Sequence, residues 1–409
     1  MSVSSSNILD EYVGMYLESL KDGSYSSSDE VKNNTKNLEF EVKFGTGSSN
    51  KEITKFDNDN VTQRILSNGF VLKSTSNLLR IYPNRKSYRV EINGMDKIIS
   101  YCKNNKLELD PSSKTSMGDF IIKKNAVVIK KDDMNTTEVK PYDYPDFNFR
   151  ISLKTEENIE PEDIEGLTKT FRFMSRNTFI NKDPNCPLKI DISIIKTASS
   201  VMFLESNIMN ARPTSYEIEI ELLNELCEKM ALEKITSYLR NTIKLILSGF
   251  QNSNFPISNK EEKDTINDYM KLIWGQRHRD NIKILPKHFM GPSSFTLQLQ
   301  NIMEIEKPSG LSSNIRYDYT VTEKADGERK LLFVNPSGKL YFINTNMNIQ
   351  FTGVITKDKS LFNTIIDGEH ITHNKEHKYI NLYAAFDLYY LNEQDVRKKQ
   401  FSNTFELES

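Results

Sequence analysis

Cysteine is scarce and scattered in this chain. Cys102, Cys186 and Cys227 make no C-x-x-C pair, which excludes a zinc pattern and a disulfide framework and fits a reducing compartment. Long apolar runs are also missing. No segment approaches the length of a membrane-spanning helix, and the N-terminus has no signal peptide's apolar core, so the expectation is an intracellular protein with no membrane partner. There is little excess charge of either sign. A net charge of −2 offers no global basic field to attract nucleic acid, so such a substrate would need cations concentrated inside a site. Internal repeats and long low-complexity tracts are absent. What remains is a globular composition, 37% hydrophobic and 27% charged over 409 residues, long enough for two or three domains.

Two stretches stand out. Leu38 to Phe44 alternates strictly, with Leu38, Phe40, Val42 and Phe44 on one face and Glu39, Glu41 and Lys43 on the other. Tyr216 to Leu222 repeats the pattern, with Glu217, Glu219 and Glu221 on its polar face. Period-two alternation predicts strands. Two strands with aliphatic backs and acidic fronts, a domain's length apart, predict one barrel closed around a charged interior. Its aliphatic side would then be covered by helices.

The segments between them support a sheet. Strand patterns fall at 77–82, 87–92, 120–130, 148–155, 170–179 and 188–196, separated by Gly, Pro, Asn and Asp turns. Helices are predicted at 8–20, 62–67 and 224–250, and the polar run 251–264 reads as a linker. Beyond it come a short helix at 265–274, a strand-like 295–299, and strands at 319–323, 330–334, 339–344, 364–366 and 379–387. The predicted organisation is an N-terminal helix and loose lead (1–36), a β-tunnel domain (37–250), the linker (251–264) and a second domain (265–409).

If the acidic strands line a chamber, other strands should turn charges inward. Arg89 alternates with apolar neighbours, and Arg150, Ser152, Lys154 and Glu156 share a face. Arg172 and Arg176 lie in one strand, and Lys189 and Asp191 in another. Carboxylates suit Mg²⁺ or Mn²⁺, and Arg and Lys suit phosphoryl oxygens, so such a chamber fits a metal–triphosphate ligand. For one strand alone, a solvated face with weak ion pairs is the plainer reading. Two acidic strands with a consistent basic set weigh against it.

The motifs Glu39-x-Glu41-x-Lys43 and Glu217-x-Glu219-x-Glu221 resemble the first and last strands of the triphosphate tunnel metalloenzymes, in particular the RNA 5′-triphosphatase module of large DNA virus and fungal capping enzymes. Arg150-x-Ser152-x-x-x-Glu156 resembles a strand motif of the same group. The resemblance spans roughly residues 36–245. It implies Glu39, Glu41, Glu219 and Glu221 as ligands of Mn²⁺ or Mg²⁺, with Glu217 assisting on the same face. It also implies Lys43, Arg89, Arg150, Lys154, Arg176 and Lys189 as phosphate contacts and Glu156 as the carboxylate that orients water. Two departures stand in this chain. Met174-Ser175-Arg176 replaces the usual Lys-x-Arg, and Lys189-x-Asp191 replaces Arg-x-Asp.

A second constellation lies downstream. Lys324-Ala325-Asp326-Gly327-Glu328-Arg329 is followed by Asp367-Gly368-Glu369 and then Phe386-Asp387. Alone, the first hexamer could be a charged turn. The ordered set resembles the covalent nucleotidyltransferases, the mRNA guanylyltransferases and polynucleotide ligases. That resemblance implies Lys324 as the nucleophile toward GTP, Arg329 and Glu369 on the ribose side, Phe386 stacked on the base, and Asp326 and Asp387 near the nucleotide and its metal. The family also has later acidic and Lys-x-Lys strands and an OB-fold lid, which this sequence does not show, so a truncated guanylyltransferase half is expected.

The fold class expected is therefore α+β: an antiparallel triphosphate tunnel with flanking helices, then a partial nucleotidyltransferase domain of ligase type, ATP-grasp-like in class. The function implied is mRNA cap synthesis on 5′-triphosphate RNA in a host cytoplasm, at a virus factory or in the virion, with a methyltransferase domain or subunit as a further partner. Two rivals are a tunnel phosphatase acting on free nucleotides or polyphosphate and an inactive scaffold that binds RNA ends. His370, His373 and His377 are spaced loosely for a metal but read as loop residues. Trp274 reads as a helix end.

Overall fold

A computed structural model describes residues 3–21, 36–45, 52–107, 117–129, 136–200, 215–279, 282–293, 295–304, 314–316, 319 and 324–399. The chain divides into two compact units, Met1–Asn252 and Ser253–Ser409.

The first unit is built on a nine-stranded antiparallel sheet. Its strands are β1 (Lys36–Phe44), β2 (Phe70–Pro83), β3 (Arg89–Asn93) and β4 (Asp119–Asn125). After a small hairpin of β5 (Val127–Ile129) and β6 (Thr136–Glu138) come β7 (Tyr142–Tyr144), β8 (Phe149–Ile159), β9 (Lys169–Asn181), β10 (Leu188–Ala198) and β11 (Ser215–Leu222). The strands neighbour one another in the order β1, β11, β10, β9, β2, β3, β4, β8, and β8 pairs back onto β1. The ring is closed, so it has no free edge along these strands. β7 extends the sheet beside the first residues of β8.

The apolar backs of the acidic strands face outward, as the alternation predicts. Leu38, Phe40, Val42 and Phe44 are buried against helices α1 (Val3–Lys21), α2 (Lys55–Ser67) and α5 (Leu232–Phe250). Tyr16 of α1 meets Phe40 edge-on at 5.6 Å, and Phe250 of α5 lies 5.7 Å from Phe44. Burying side chains of this size stabilises by roughly 1.5–3 kcal/mol each. The helix α3 (Met95–Asn104) covers another outer patch with Ile98 and Tyr101, over Ile81, Val90 and Phe171. The α2 N-terminus carries a capping box: the Thr54 hydroxyl accepts from the Asp57 amide, and the Asp57 carboxylate accepts from the Thr54 amide at 3.0 Å.

The helix predicted over 224–250 is two helices, α4 (Asn224–Cys227) and α5, with a turn between them. Asn224 explains the early element. It accepts a hydrogen bond from the Tyr16 hydroxyl at 2.6 Å and donates to the Leu38 carbonyl at 2.9 Å, tying α4 to α1 and β1. The strand predicted over 120–130 is also split, between β4 and β5.

In the second unit, α6 (Asn259–Trp274) begins inside the expected linker, capped by the Ser258 hydroxyl, which accepts from the Glu261 amide at 3.1 Å. The helix packs Tyr269 and Met270 onto one face of a six-stranded antiparallel sheet. That sheet holds β12 (Glu328–Val334), β13 (Lys339–Asn344), β14 (Ile349–Ile355), β15 (Thr364–His373), β16 (Tyr379–Leu391) and β17 (Gln394–Asp395), ordered β14, β13, β12, β15, β16, β17. The strand expected at 295–299 is irregular chain, and Phe295 is exposed where a strand would bury one face. Of the expected strand 319–323, residues 320–323 lie outside the described residues. No described helix is long and apolar enough to cross a membrane.

Candidate functional site

Register alone defines the lumen of the first unit. Glu41 faces Glu221, and Lys43 faces Glu219, across β1 and β11. Glu221 faces Lys189, and Glu219 faces Asp191, across β11 and β10. The same parity continues through Arg176 and Arg172 on β9, Arg80 on β2, Glu91 and Arg89 on β3, Lys123 on β4 and Glu156, Lys154 and Ser152 on β8, then returns to β1. Side chains of one parity share a face, so these all point into the ring.

The side chains then pair across it. Lys43 Nζ lies 2.9 Å from Glu217 and 2.7 Å from Glu219. Arg176 bridges Glu219 at 3.1 Å and Asp191 at 3.2 Å, and Lys189 meets Glu221 at 2.8 Å. Arg172 pairs with Glu217. On the opposite wall, Lys123 pairs with Glu39, lies 3.1 Å from Glu156 and 3.7 Å from Glu41, and Lys154 lies 3.5 Å from Glu41. Glu91 takes Arg80 at 2.7 Å and Arg89 at 2.6 Å, while Arg89 also reaches Glu156 at 2.8 Å.

These surroundings move the carboxyl groups apart. Burial raises Glu39, with Glu221 and Glu156 adding repulsion against the pull of Lys123. Burial and the neighbouring Glu219 and Glu39 raise Glu41, and burial raises Glu221, with Asp191 and Glu219 adding to it. Glu219 goes the other way: burial works against its charge, but Lys43 and Arg176 together hold it far below the ordinary range. Glu156 is likewise buried, yet Lys123 and Arg89 lower it to about 2.

A hard divalent cation suits this donor set. The carboxylates of β1 and β11 lie side by side, buried or half-buried, and neighbours among them repel; all-oxygen ligands fit Mg²⁺ or Mn²⁺. Among the described residues, however, no three Asp, Glu, His or Cys donors converge as a ready-made metal site; lysines stand between them.

Of the phosphate contacts expected from the sequence, Lys43, Arg89, Lys154, Arg176 and Lys189 sit in the lumen. Arg150 shares their parity, facing Lys43, but is more exposed and forks onto Asp143 of β7 at 2.8 and 3.0 Å. Sequence reasoning missed Arg80, Glu91 and Lys123. Lys123 had the weakest signal, since the run Phe120-Ile121-Ile122-Lys123-Lys124 does not alternate. One lumenal patch is apolar: Leu78, Met174 and Ile195 face one another across β2, β9 and β10 and are buried together. Met174 stands between Arg172 and Arg176, where a lysine was expected.

In the second unit, Lys324 is solvent-exposed ahead of β12, with Asp326 3.9 Å away. Arg329 is held, not free. Its Nε and Nη2 fork onto fully buried Asp367 at 3.1 and 2.6 Å, and its Nη1 donates to the Pro292 carbonyl at 2.6 Å. Tyr389 donates to the same Asp367 at 2.5 Å. Glu369 faces Arg329 across β15 and β12. Asp387 faces Asp367, and burial, with Asp367 adding repulsion, raises its carboxyl. Phe386 lies in a strand read as buried but is exposed, because β15 and β16 pair through register shifts beside it. His370 contacts Lys330 and Asn381, and Trp274 packs edge-on against His288 at 5.3 Å.

The first unit is thus a closed antiparallel tunnel with a densely charged lumen, and the second sets Arg329, Asp367, Glu369 and Asp387 on neighbouring strands of an antiparallel sheet. Residues 287–408 match the family model described as mRNA capping enzyme, catalytic domain. Over 408 residues the chain is 24% identical to a probable mRNA-capping enzyme of Acanthamoeba polyphaga mimivirus, covering 96% of this chain and 29% of that protein. The chain therefore spans under a third of this relative's length. Among solved structures it is similar to the mimivirus capping enzyme triphosphatase (21% identity, 60% of this chain and 98% of that one, TM-score 0.37). It is also similar to the RNA triphosphatase Pct1 of S. pombe (13% identity, 60% and 93%, TM-score 0.35). Sequence resemblance to viral mRNA-capping enzymes thus runs through both units.

Proposed function

We propose that this chain carries out early steps of mRNA cap synthesis, with the first unit an RNA 5′-triphosphatase. The observation that carries the reading is the pairing of β1 with β11, which sets Glu41 against Glu221 inside a closed, cation-lined ring. The similarity to a capping enzyme along nearly the whole chain supports it.

In this reading Glu39, Glu41, Glu219 and Glu221 hold Mn²⁺ or Mg²⁺, with Glu217 beside them. The cation supplies charge neutralisation at a phosphoryl oxygen. The chain's own cations do the rest: Lys43, Arg89, Arg150, Lys154, Arg176 and Lys189 bind and orient the triphosphate. Phosphoryl transfer asks chiefly for such positioning and electrostatic stabilisation. Glu156 orients the attacking water. Held at about 2 by Lys123 and Arg89, it stays ionised at neutral pH and accepts a hydrogen bond well, but it is a poor proton acceptor. Its role is therefore alignment.

The second unit is read as a GTP-dependent guanylyltransferase. Lys324, deprotonated, attacks the α-phosphorus of GTP to form a lysine–GMP phosphoramidate as the α–β bond breaks and pyrophosphate leaves; Arg329 and Glu369 address the ribose, Phe386 the base, and Asp326 and Asp387 the phosphates and metal. A methyltransferase would act next on the product, in a virus factory of the host cytoplasm. The test is mutational. Glu39→Ala and Glu221→Ala are each expected to abolish phosphate release from triphosphate RNA while circular dichroism stays native. Full activity in both would overturn the tunnel assignment.

A further inference from the structure

Among the described residues, the lumenal ion pairs join eight carboxylates to eight cations. The two sets cancel in charge. Each carboxylate implied as a metal ligand has a lysine on it: Lys123 on Glu39 and Glu41, Lys43 on Glu219, Lys189 on Glu221. Two of these lysines, Lys43 and Lys189, are also implied phosphate contacts. Lys123 is the most shared of the three, touching Glu39, Glu41 and Glu156 from one Nζ.

Consider either ligand entering alone. A divalent cation would have to displace ammonium groups from the carboxylates and leave half-buried cations unpaired. A triphosphate would have to draw those cations away and leave buried, mutually repelling carboxylates behind. Stranding one partner of such a pair leaves a poorly solvated charge uncompensated, which is strongly unfavourable. When both ligands enter, each stranded group finds a new partner, the lysines on phosphate and the glutamates on metal.

We infer that the tunnel takes its divalent cation and its triphosphate only as a pair, with Lys123 the positioning residue that moves from the carboxylates to the phosphate. This rests on the triphosphatase reading and concerns the order and coupling of binding at the same site. Coupling of this kind is reciprocal: each ligand tightens the other by the same factor.

The test is equilibrium binding to the full chain, free of turnover. Mn²⁺ binding is followed by the loss of its free electron-paramagnetic-resonance signal, with and without a non-hydrolysable β,γ-imido nucleotide triphosphate. Association of Mn²⁺ with the nucleotide in solution is subtracted. Saturating triphosphate is expected to tighten Mn²⁺ by at least about 10-fold, which is about 1.4 kcal/mol of coupling. In Lys123→Met, Mn²⁺ alone is expected to bind more tightly and the coupling to shrink. Lys43→Met gives the same comparison should Lys123→Met fail to fold. Tight binding of Mn²⁺ alone, unchanged by triphosphate and by either variant, would overturn the inference and leave the triphosphatase reading standing. No binding of the pair, together with no phosphate release from triphosphate RNA, would overturn both.

Discussion

At the scale of single residues, the site is a set of carboxyl groups driven in opposite directions. Glu39, Glu41 and Glu221 are raised by burial and by neighbouring carboxylates, whereas Glu156 is lowered to about 2 by Lys123 and Arg89. The signs differ in consequence. A carboxyl raised by folding binds its proton more tightly in the folded state, so protonating these three on acidification favours the fold but removes the charge that would hold a metal. A lowered carboxyl contributes stability that is present above its unfolded value and is lost as pH falls through about 2. Phosphate release is therefore expected to fail on acidification before the fold does, beginning above the ordinary carboxylate range. Release rates and circular dichroism, followed together from neutral pH to about pH 3, check the order. Simultaneous loss would contradict it. In the second unit, Lys324 is exposed beside Asp326. Any covalent GMP label the protein acquires from GTP is expected to vanish in Lys324→Ala; a retained label would mean another nucleophile.

At the scale of elements, the closed ring depends on helices that seat the backs of its strands. Gly249 of α5 lies against α2: a Cβ there would come 2.7 Å from Val61 Cγ2 and 2.8 Å from its Cα. Gly249→Ala is expected to destabilise the first unit by about 1–3 kcal/mol, read from denaturant unfolding, because backbone atoms cannot yield as a flexible side chain would. An unchanged midpoint would mean the two helices separate without cost. The strands also show how much could be read in advance. Leu38–Phe44 and Tyr216–Leu222 declared both their faces, because a strand covered by helices on one side and lining a charged lumen on the other must alternate. Lys123 was hidden for the converse reason. Its strand places half-buried Ile122 outside and half-buried Ile121 inside, so two isoleucines stand together and the period is lost. Arg80 was obscured by Leu78, an apolar lumenal residue within its own strand. The helix start at Asn259 was masked by a polar first turn, Lys260-Glu261-Glu262-Lys263, that resembles linker composition although its Glu261 turns inward to Lys339 and Tyr341.

At the scale of the whole molecule, two compact units carry two separate candidate sites. The first gathers its charges into one closed lumen from strands distant in sequence, so its site exists only once β8 meets β1. The second sets its motif residues on neighbouring strands β12, β15 and β16, with Asp367 as the buried hub that fixes Arg329 and Tyr389. That hub was legible only as part of the triplet Asp367-Gly368-Glu369, since nothing in the sequence marks which of its two acids is buried. In the proposed function, the closed lumen of the first unit hydrolyses the triphosphate terminus of RNA. The most direct test measures γ-phosphate release from 5′-triphosphate RNA, ATP and tripolyphosphate, each with Mn²⁺ and with chelator. Mn²⁺-dependent release that is fastest on RNA is expected. Release confined to the free nucleotide or polyphosphate, or no metal-dependent release from any of the three, would contradict the account.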